Sequence, residues 1–173
     1  MIFSSDQCKE IISWHKHYNM MNVSENPNVD FPERIQKREL DYNIAFVTRD
    51  DRTQWFFDSI HSFLLGKYPN NLAHEGPFFY LHKWDKGNKF EKHIDKRREC
   101  SWREVCGATL NSGFDGGKLI AYNPEEEFAT NVGEVYLMGA ERLHEVTEIT
   151  RGTRFSFVYF LSAMRLGEVK TIL

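Results

Sequence analysis

The sequence is poor in the features that mark secreted, membrane or nucleic-acid-binding chains. Three cysteines, Cys8, Cys100 and Cys106, occur in 173 residues, an odd number without regular spacing. That excludes a disulfide framework and a zinc knuckle, and a reducing, cytoplasmic-type compartment is expected. No apolar run approaches the ~20 residues of a membrane-spanning helix. The start, MIFSSDQCKE, lacks the basic and apolar regions of a secretory signal. Excess charge of either sign is small too: the net charge of −3 gives no global electrostatic case for nucleic acid or membrane. No internal repeat or low-complexity tract is present.

What is abundant is aromatic. Phe, Trp and Tyr make up 14% of the chain, with 14 Phe among them, in a composition that is 41% hydrophobic and 27% charged. This is a globular balance, with a core built on rings. A chain of this length forms a single domain and buries roughly 70% of the surface it exposes when unfolded.

Ser4 and Gln7 form a capping-box signature, and Cys8, Ile11, Ile12 and His15 behind it fall on one helical face. His15 and His17 point apart on such a helix, so a surface role is expected for them. Residues 19–38, with Pro27 and Pro32, carry no period and read as a long connection. Residues 42–48 read as a strand. A second helix is expected from Asp51 or Thr53, with Phe56, Ile60, Phe63 and Leu64 inward and Gly66 as its C-cap. After Pro77 the texture changes to short strands at 78–84, 104–110, 118–122, 133–138 and 153–161, separated by Gly- and Asn-rich turns. The fold class expected is mostly β with N-terminal helices: a sandwich or small barrel with helices packed on one side.

Chemistry concentrates at three places. His93 and Asp95 stand two apart, so on one extended strand their side chains point to the same face. Such a pair is cheap by itself. His144 completes two imidazoles and one carboxylate, a facial set that leaves coordination positions open and suits non-haem iron(II) better than zinc. Arg154, ten residues after His144, shares a strand face with Ser156, Val158 and Phe160. A guanidinium aimed into an apolar interior is costly unless paired, so it calls for an anion. That anion is either a carboxylate ligand or a structural partner such as Glu145 or Glu148.

Four segments together resemble a known family: WDKGNKFEKHID from Trp84 to Asp95, DGGKL at 115–119, GEVYL at 133–137, and HEVTEITRGTRFS from His144 to Ser156. In order and spacing they are similar to the prolyl-4-hydroxylase-type branch of the 2-oxoglutarate/iron(II) dioxygenases. The resemblance spans residues 78–161. It implies a double-stranded β-helix (jelly roll, cupin-like) core at 78–161 within one domain of residues 1–173, buttressed by the helices of 1–66. It implies iron(II) held by His93, Asp95 and His144, and 2-oxoglutarate held by Arg154 with Ser156, with ascorbate as a further candidate cofactor. It implies hydroxylation of a C–H bond in a peptide, a protein side chain or a free amino acid. The family's tyrosine nine residues before the first metal histidine is Trp84 here, whose indole can only donate, and Tyr80 on the same strand face is a candidate substitute. Lys118 and Leu119 replace an acidic residue and a threonine after the glycine pair, and Arg154 stands where many prolyl hydroxylases use lysine. These departures leave cofactor use intact and the prolyl assignment open. Phe160 stands where nucleic-acid demethylases of the superfamily carry a second arginine, which argues against a nucleic-acid substrate. Lys96-Arg97-Arg98, directly after Asp95, is a candidate attractor of anionic substrate or else a solvated loop. The competing class is a jelly-roll protein that binds a metal or small acid without turnover.

Overall fold

The computed structural model describes residues 3–18, 20–22, 42–68, 73–75, 78–95, 102–128 and 131–163. Helix α1 (Ser5–Ser13) runs into a single 3-10 turn (Trp14–Lys16), and α2 spans Gln54–Lys67. The strands are β1 (Met21–Asn22), β2 (Asn43–Thr48), β3 (Ala73–Glu75), β4 (Phe78–Trp84), β5 (Phe90–His93), β6 (Trp102–Thr109), β7 (Asp115–Gly116), β8 (Leu119–Ala121), β9 (Glu126–Phe128), β10 (Tyr136–Gly139), β11 (His144–Val146), β12 (Ile149–Arg151) and β13 (Arg154–Ala163). The chain is mostly β, and its strands pair antiparallel. A large sheet has the order β1-β2-β4-β13-β6-β10, with β3 also on β13. A small sheet has the order β5-β11-β8-β9, and β7 and β12 form a separate pair.

The helices form where the sequence gives them ends. The Ser4 hydroxyl accepts from Gln7 N at 3.2 Å, and the Gln7 side chain accepts from Ser4 N at 2.9 Å, so the capping box is complete. Helix α2 begins after an Asx turn in which the Asp50 carboxylate accepts from the backbone of Arg52 and Thr53. Thr53 meanwhile spends its hydroxyl on Thr48 O at 2.7 Å. Gly66 is a correction: it lies inside the helix, which runs on to Lys67 with Tyr68 as C-cap. His15 is another, since it is half-buried and packs on Phe155 at 5.7 Å. No helix among the described residues is long and apolar enough to cross a membrane.

Two cores result, one on each face of the large sheet. On the outer face Phe3, Cys8, Ile11 and Trp14 meet Phe56, Phe57 and Ile60 of α2 and the outward row Phe79, Phe157 and Tyr159. The rings interlock edge to face, as in Phe56 on Phe157 at 5.0 Å and 89°. Trp55 Nε1 donates to Glu10 at 2.9 Å and ties the two helices together. On the inner face Ile44 and Trp84 of the large sheet oppose Leu119 and Val146 of the small one, with Ile149 closing one end. This inner space holds the polar residues singled out above.

Candidate metal centre and anion pocket

β11 lies between β5 and β8, and the register sets His144 opposite His93 on one side and Ala121 on the other. The two imidazoles are therefore cross-strand neighbours, with ring centroids 4.1 Å apart. Each is oriented from behind by a carbonyl: His93 Nδ1 lies 2.7 Å from Glu91 O, and His144 Nδ1 2.9 Å from Arg142 O. A carbonyl can only accept, so both Nδ1 atoms carry a proton, and in the neutral rings both Nε2 atoms face inward as lone pairs. Burial disfavours the protonated form of His144 and lowers its pKa, partly offset by Asp95.

Asp95 reaches the same point by a different route from the one expected. β5 ends at His93, and Asp95 sits in the bend beyond it, with its backbone N–H on Ala140 O at 3.0 Å. Its two oxygens lie 3.6 Å from His93 Nε2 and 3.5 Å from His144 Nε2. These distances are long for direct hydrogen bonds. Three acceptor atoms, all within 4.8 Å of one another, thus converge without a donor among them. Such a cluster is repulsive until a cation occupies its centre, so the donor set fits a divalent metal.

The second feature is a buried cation with no acidic partner among the described residues. Arg154 opens β13 and is 4% exposed. Its Nη1 contacts Ser156 Oγ at 3.3 Å and its Nη2 contacts Thr109 Oγ1 at 3.2 Å. Its Nε is buried without a partner. Burial depresses its pKa to about 10, which still leaves it charged at neutral pH. Neither glutamate considered as a structural partner pairs with it: Glu145 accepts from the Tyr122 hydroxyl, and Glu148 is exposed. A buried guanidinium with two long hydroxyl contacts and an orphaned N–H is prepared for a carboxylate.

Its surroundings keep it in place. The turn after β4 is tied to β12 by Gly87 N on Ile149 O (2.8 Å) and Ile149 N on Asn88 O (2.9 Å). Thr153 donates to Asp85 at 2.8 Å, and Asp85 also binds Lys83 at 2.7 Å. Gly117, at φ +61°, is needed because a Cβ there would lie 2.2 Å from Ile149 Cδ1 and 3.1 Å from Arg154 Cδ. Trp84 lies opposite Arg154, stacks on Tyr42 at 4.0 Å, and donates from Nε1 to Ser156 Oγ at 3.1 Å. With that oxygen accepting from both Trp84 and Arg154, the Ser156 O–H is left to donate.

The metal cluster and Arg154 occupy two depths of one space. The first sits at the His93–His144–Ala121 level and the second at the Gly117–Ile149 level, with the Phe90–Val146–Leu119 row between them. A cleft of about 340 Å³ borders Thr109, Leu119, Phe128 and the 111–118 turn, at the guanidinium end rather than the metal end. Tyr80 packs against the same inner core four residues along β4 from Trp84, where it pairs with Val158 and meets Phe46 and Phe160. Lys96-Arg97-Arg98 lies outside the described residues. Sequence reasoning passed over Thr109, Tyr42 and Tyr136. His82 packs edge-on against both Tyr42 and Trp84, with its pKa lowered to about 3 by burial and by Arg154.

Solved structures share this architecture. A 2OG-Fe(II) oxygenase family oxidoreductase from Burkholderia pseudomallei superposes with a TM-score of 0.69 at 16% identity, covering 92% of this chain and 80% of that one. A Pseudomonas putida prolyl-4-hydroxylase gives 0.66 at 17% identity, covering 93% and 89%. A Trichoplax adhaerens prolyl hydroxylase, in complex with a hypoxia inducible factor peptide, gives 0.70 at 15% identity, covering 89% and 75%. The chain has the fold of these oxygenases. By sequence it is similar to PKHD-type hydroxylases of Prochlorococcus marinus. Identity is 32% over 87 residues for strain MIT 9301, which is 47% of this chain and 39% of the relative. For strain MIT 9312 it is 32% over 84 residues, 45% and 38% respectively. The matches thus span about two fifths of those relatives' own length. No protein-family model matches the chain.

Proposed function

We propose that this chain is an iron(II)- and 2-oxoglutarate-dependent oxygenase that hydroxylates a C–H bond of a peptide, a protein side chain or a free amino acid. The observation that carries the reading is the pairing of two incomplete sites in one space: three convergent acceptors that need a cation, and a buried cation that needs a carboxylate. A short diacid whose other end chelates a metal satisfies both. The antiparallel two-sheet architecture is read as a double-stranded β-helix, with residues 78–161 as its core and the helices of 1–66 as its buttress in a single domain.

In this reading His93, Asp95 and His144 hold the iron, while Arg154 and the Ser156 hydroxyl hold the distal carboxylate of 2-oxoglutarate. When bound, the metal and co-substrate supply the oxidising power, consuming O2 and releasing succinate and carbon dioxide. The protein's own contribution is orientation and exclusion of water. Nδ1 protons fixed on Glu91 O and Arg142 O keep both imidazoles in the ligating tautomer. Phe90, stacked on His93 at 3.6 Å, and the apolar side chains of Leu119 and Val146 dry the space between the anchors. Trp84 holds Ser156 in place without entering the chemistry.

The test is 2-oxoglutarate turnover without added substrate. Aerobic protein with iron(II) and 2-oxoglutarate is expected to form succinate slowly, and His93→Ala is expected to abolish it. Absence of succinate above the His93→Ala level, also after adding peptides and free amino acids, would contradict the reading.

A further inference from the structure

The two imidazoles of the metal cluster are oriented by carbonyls that are themselves held in different ways. Glu91, behind His93, lies within β5. Arg142, behind His144, lies in the turn before β11. The pairing of β11 with β8 extends past His144 only through Tyr122 N on Leu143 O at 2.9 Å. The N–H of Arg142 is spent inside the turn, on Gly139 O at 2.9 Å. A carbonyl outside the ladder needs a further restraint to keep its aim at a ligand.

The side chain of the same residue supplies it. Arg142 Nη2 donates to Pro124 O at 2.7 Å and Nη1 to Glu126 at 2.9 Å, while Nε lies 3.4 Å from Tyr122 O. The guanidinium carbon also stands 5.1 Å from the centre of the Phe128 ring. The acceptors thus come from alternate residues of the segment joining β8 to β9, and a planar fork with several donors matches them where an ammonium would satisfy fewer. The Arg142–Glu126 ion pair is at the surface, with Glu126 half-exposed, and by itself contributes little. The two backbone carbonyls and the ring face fix the group. One residue therefore touches His144 with its main chain and clasps the neighbouring hairpin with its side chain.

We propose that Arg142 is a positioning residue of the metal centre: its guanidinium, held by the 122–126 segment, fixes the carbonyl that orients His144. The inference rests on the metal assignment within the oxygenase reading. Its test uses the full chain as wild type, Arg142→Ala, Arg142→Lys and Glu126→Gln, with melting temperature recorded for each. In metal-free protein at mildly alkaline pH, nitrogen-15 NMR of the His144 ring reports which nitrogen carries the proton. Calorimetry with manganese(II) then gives the metal affinity. Wild type is expected to carry the proton on Nδ1, and Arg142→Ala to show both tautomers and bind manganese roughly 10-fold more weakly. The sign is diagnostic, because removing a nearby positive charge would by itself tighten the binding of a cation. Arg142→Lys keeps the charge and loses the fork, so a smaller loss in the same direction is expected even where Arg142→Ala folds poorly. Glu126→Gln, which removes only the surface ion pair, is expected to stay close to wild type. Unchanged tautomer and unchanged or tighter manganese binding in folded Arg142→Ala and Arg142→Lys overturn the inference. So does a loss in Glu126→Gln as large as in Arg142→Ala, which would trace the effect to rim charge. Wild type that binds no manganese is a different result, since it overturns the metal assignment itself.

Discussion

The two faces of the large sheet are built from alternate residues of the same strands, yet they do opposite work. On β13 the row Phe157, Tyr159 and Leu161 enters the helix-covered core, while Arg154 and Ser156 enter the space facing the small sheet. The outer row packs among apolar and aromatic side chains, so its burial stabilises the fold directly. The inner row buries a cation with incomplete hydrogen bonding, and the small sheet opposite buries two histidines beside a carboxylate. Those groups cost stability in the absence of ligands. Both faces carry an apolar core, and the inner one also carries groups that ligands complete.

That contrast can be broken by substitution on either side. The largest stability effect is expected on the outer face. Phe56 is fully buried among Phe3, Phe79 and Phe157, and Phe56→Ala should cost about 3–5 kcal/mol in denaturant unfolding. An equal loss from an inner-face substitution such as Arg154→Met would erase the distinction. Arg154→Met is instead expected to leave the ligand-free protein as stable as wild type or slightly more so, because it removes a buried unpaired charge. Its 2-oxoglutarate affinity should fall on the order of 100-fold, which calorimetry on manganese-loaded protein would measure.

A third test uses pH. Burial holds the folded-state pKa of His82 at about 3, below its unfolded value of about 6.5. Between those values the unfolded chain binds a proton that the native state does not, so stability falls as pH drops through this window. Above it both states are neutral and His82 contributes no pH dependence. The wild-type stability curve minus that of His82→Gln should therefore slope upward with pH by at most ~1.4 kcal/mol per unit between roughly pH 3 and 6.5. A flat difference would mean that His82 titrates normally. The smallest effect belongs to the capping box: Ser4→Ala should cost about 1 kcal/mol and leave ligand binding untouched.

The two faces also differed in how legible they were in the sequence. Helix α1, β4 and β13 could be read because each signals locally, through a capping box or through alternation sustained over many residues. In the small sheet β8 falls inside the strand expected at 118–122, but β9 and β11 were not read, nor was β12 of the separate pair. Each of these has three residues, too few for alternation to accumulate. Their partners are set by long-range register rather than by local pattern. His93, Asp95, His144 and Arg154 were visible because ionisable residues stand out against an apolar background. The geometry assumed for Asp95 was nevertheless wrong in detail, since the strand ends two residues earlier, at His93, and a hydrogen bond to Ala140 O places the bend that carries the carboxylate. Tyr136, Tyr42 and Thr109 were missed for the converse reason: an aromatic or threonine on a strand carries no mark of which face it will line. Gly66 looked like a helix stop, but the space around it is open, and the helix continues past it.

The most direct test of the central claim is optical. Anaerobic protein is loaded with iron(II) and then 2-oxoglutarate, and the visible charge-transfer band of a chelated 2-oxo acid is sought in wild type, His144→Ala and Arg154→Ala. The account predicts a band in wild type, a weaker one without Arg154 at the same 2-oxoglutarate concentration, and none without His144. Folded, iron-loaded wild type that gives no band would contradict it.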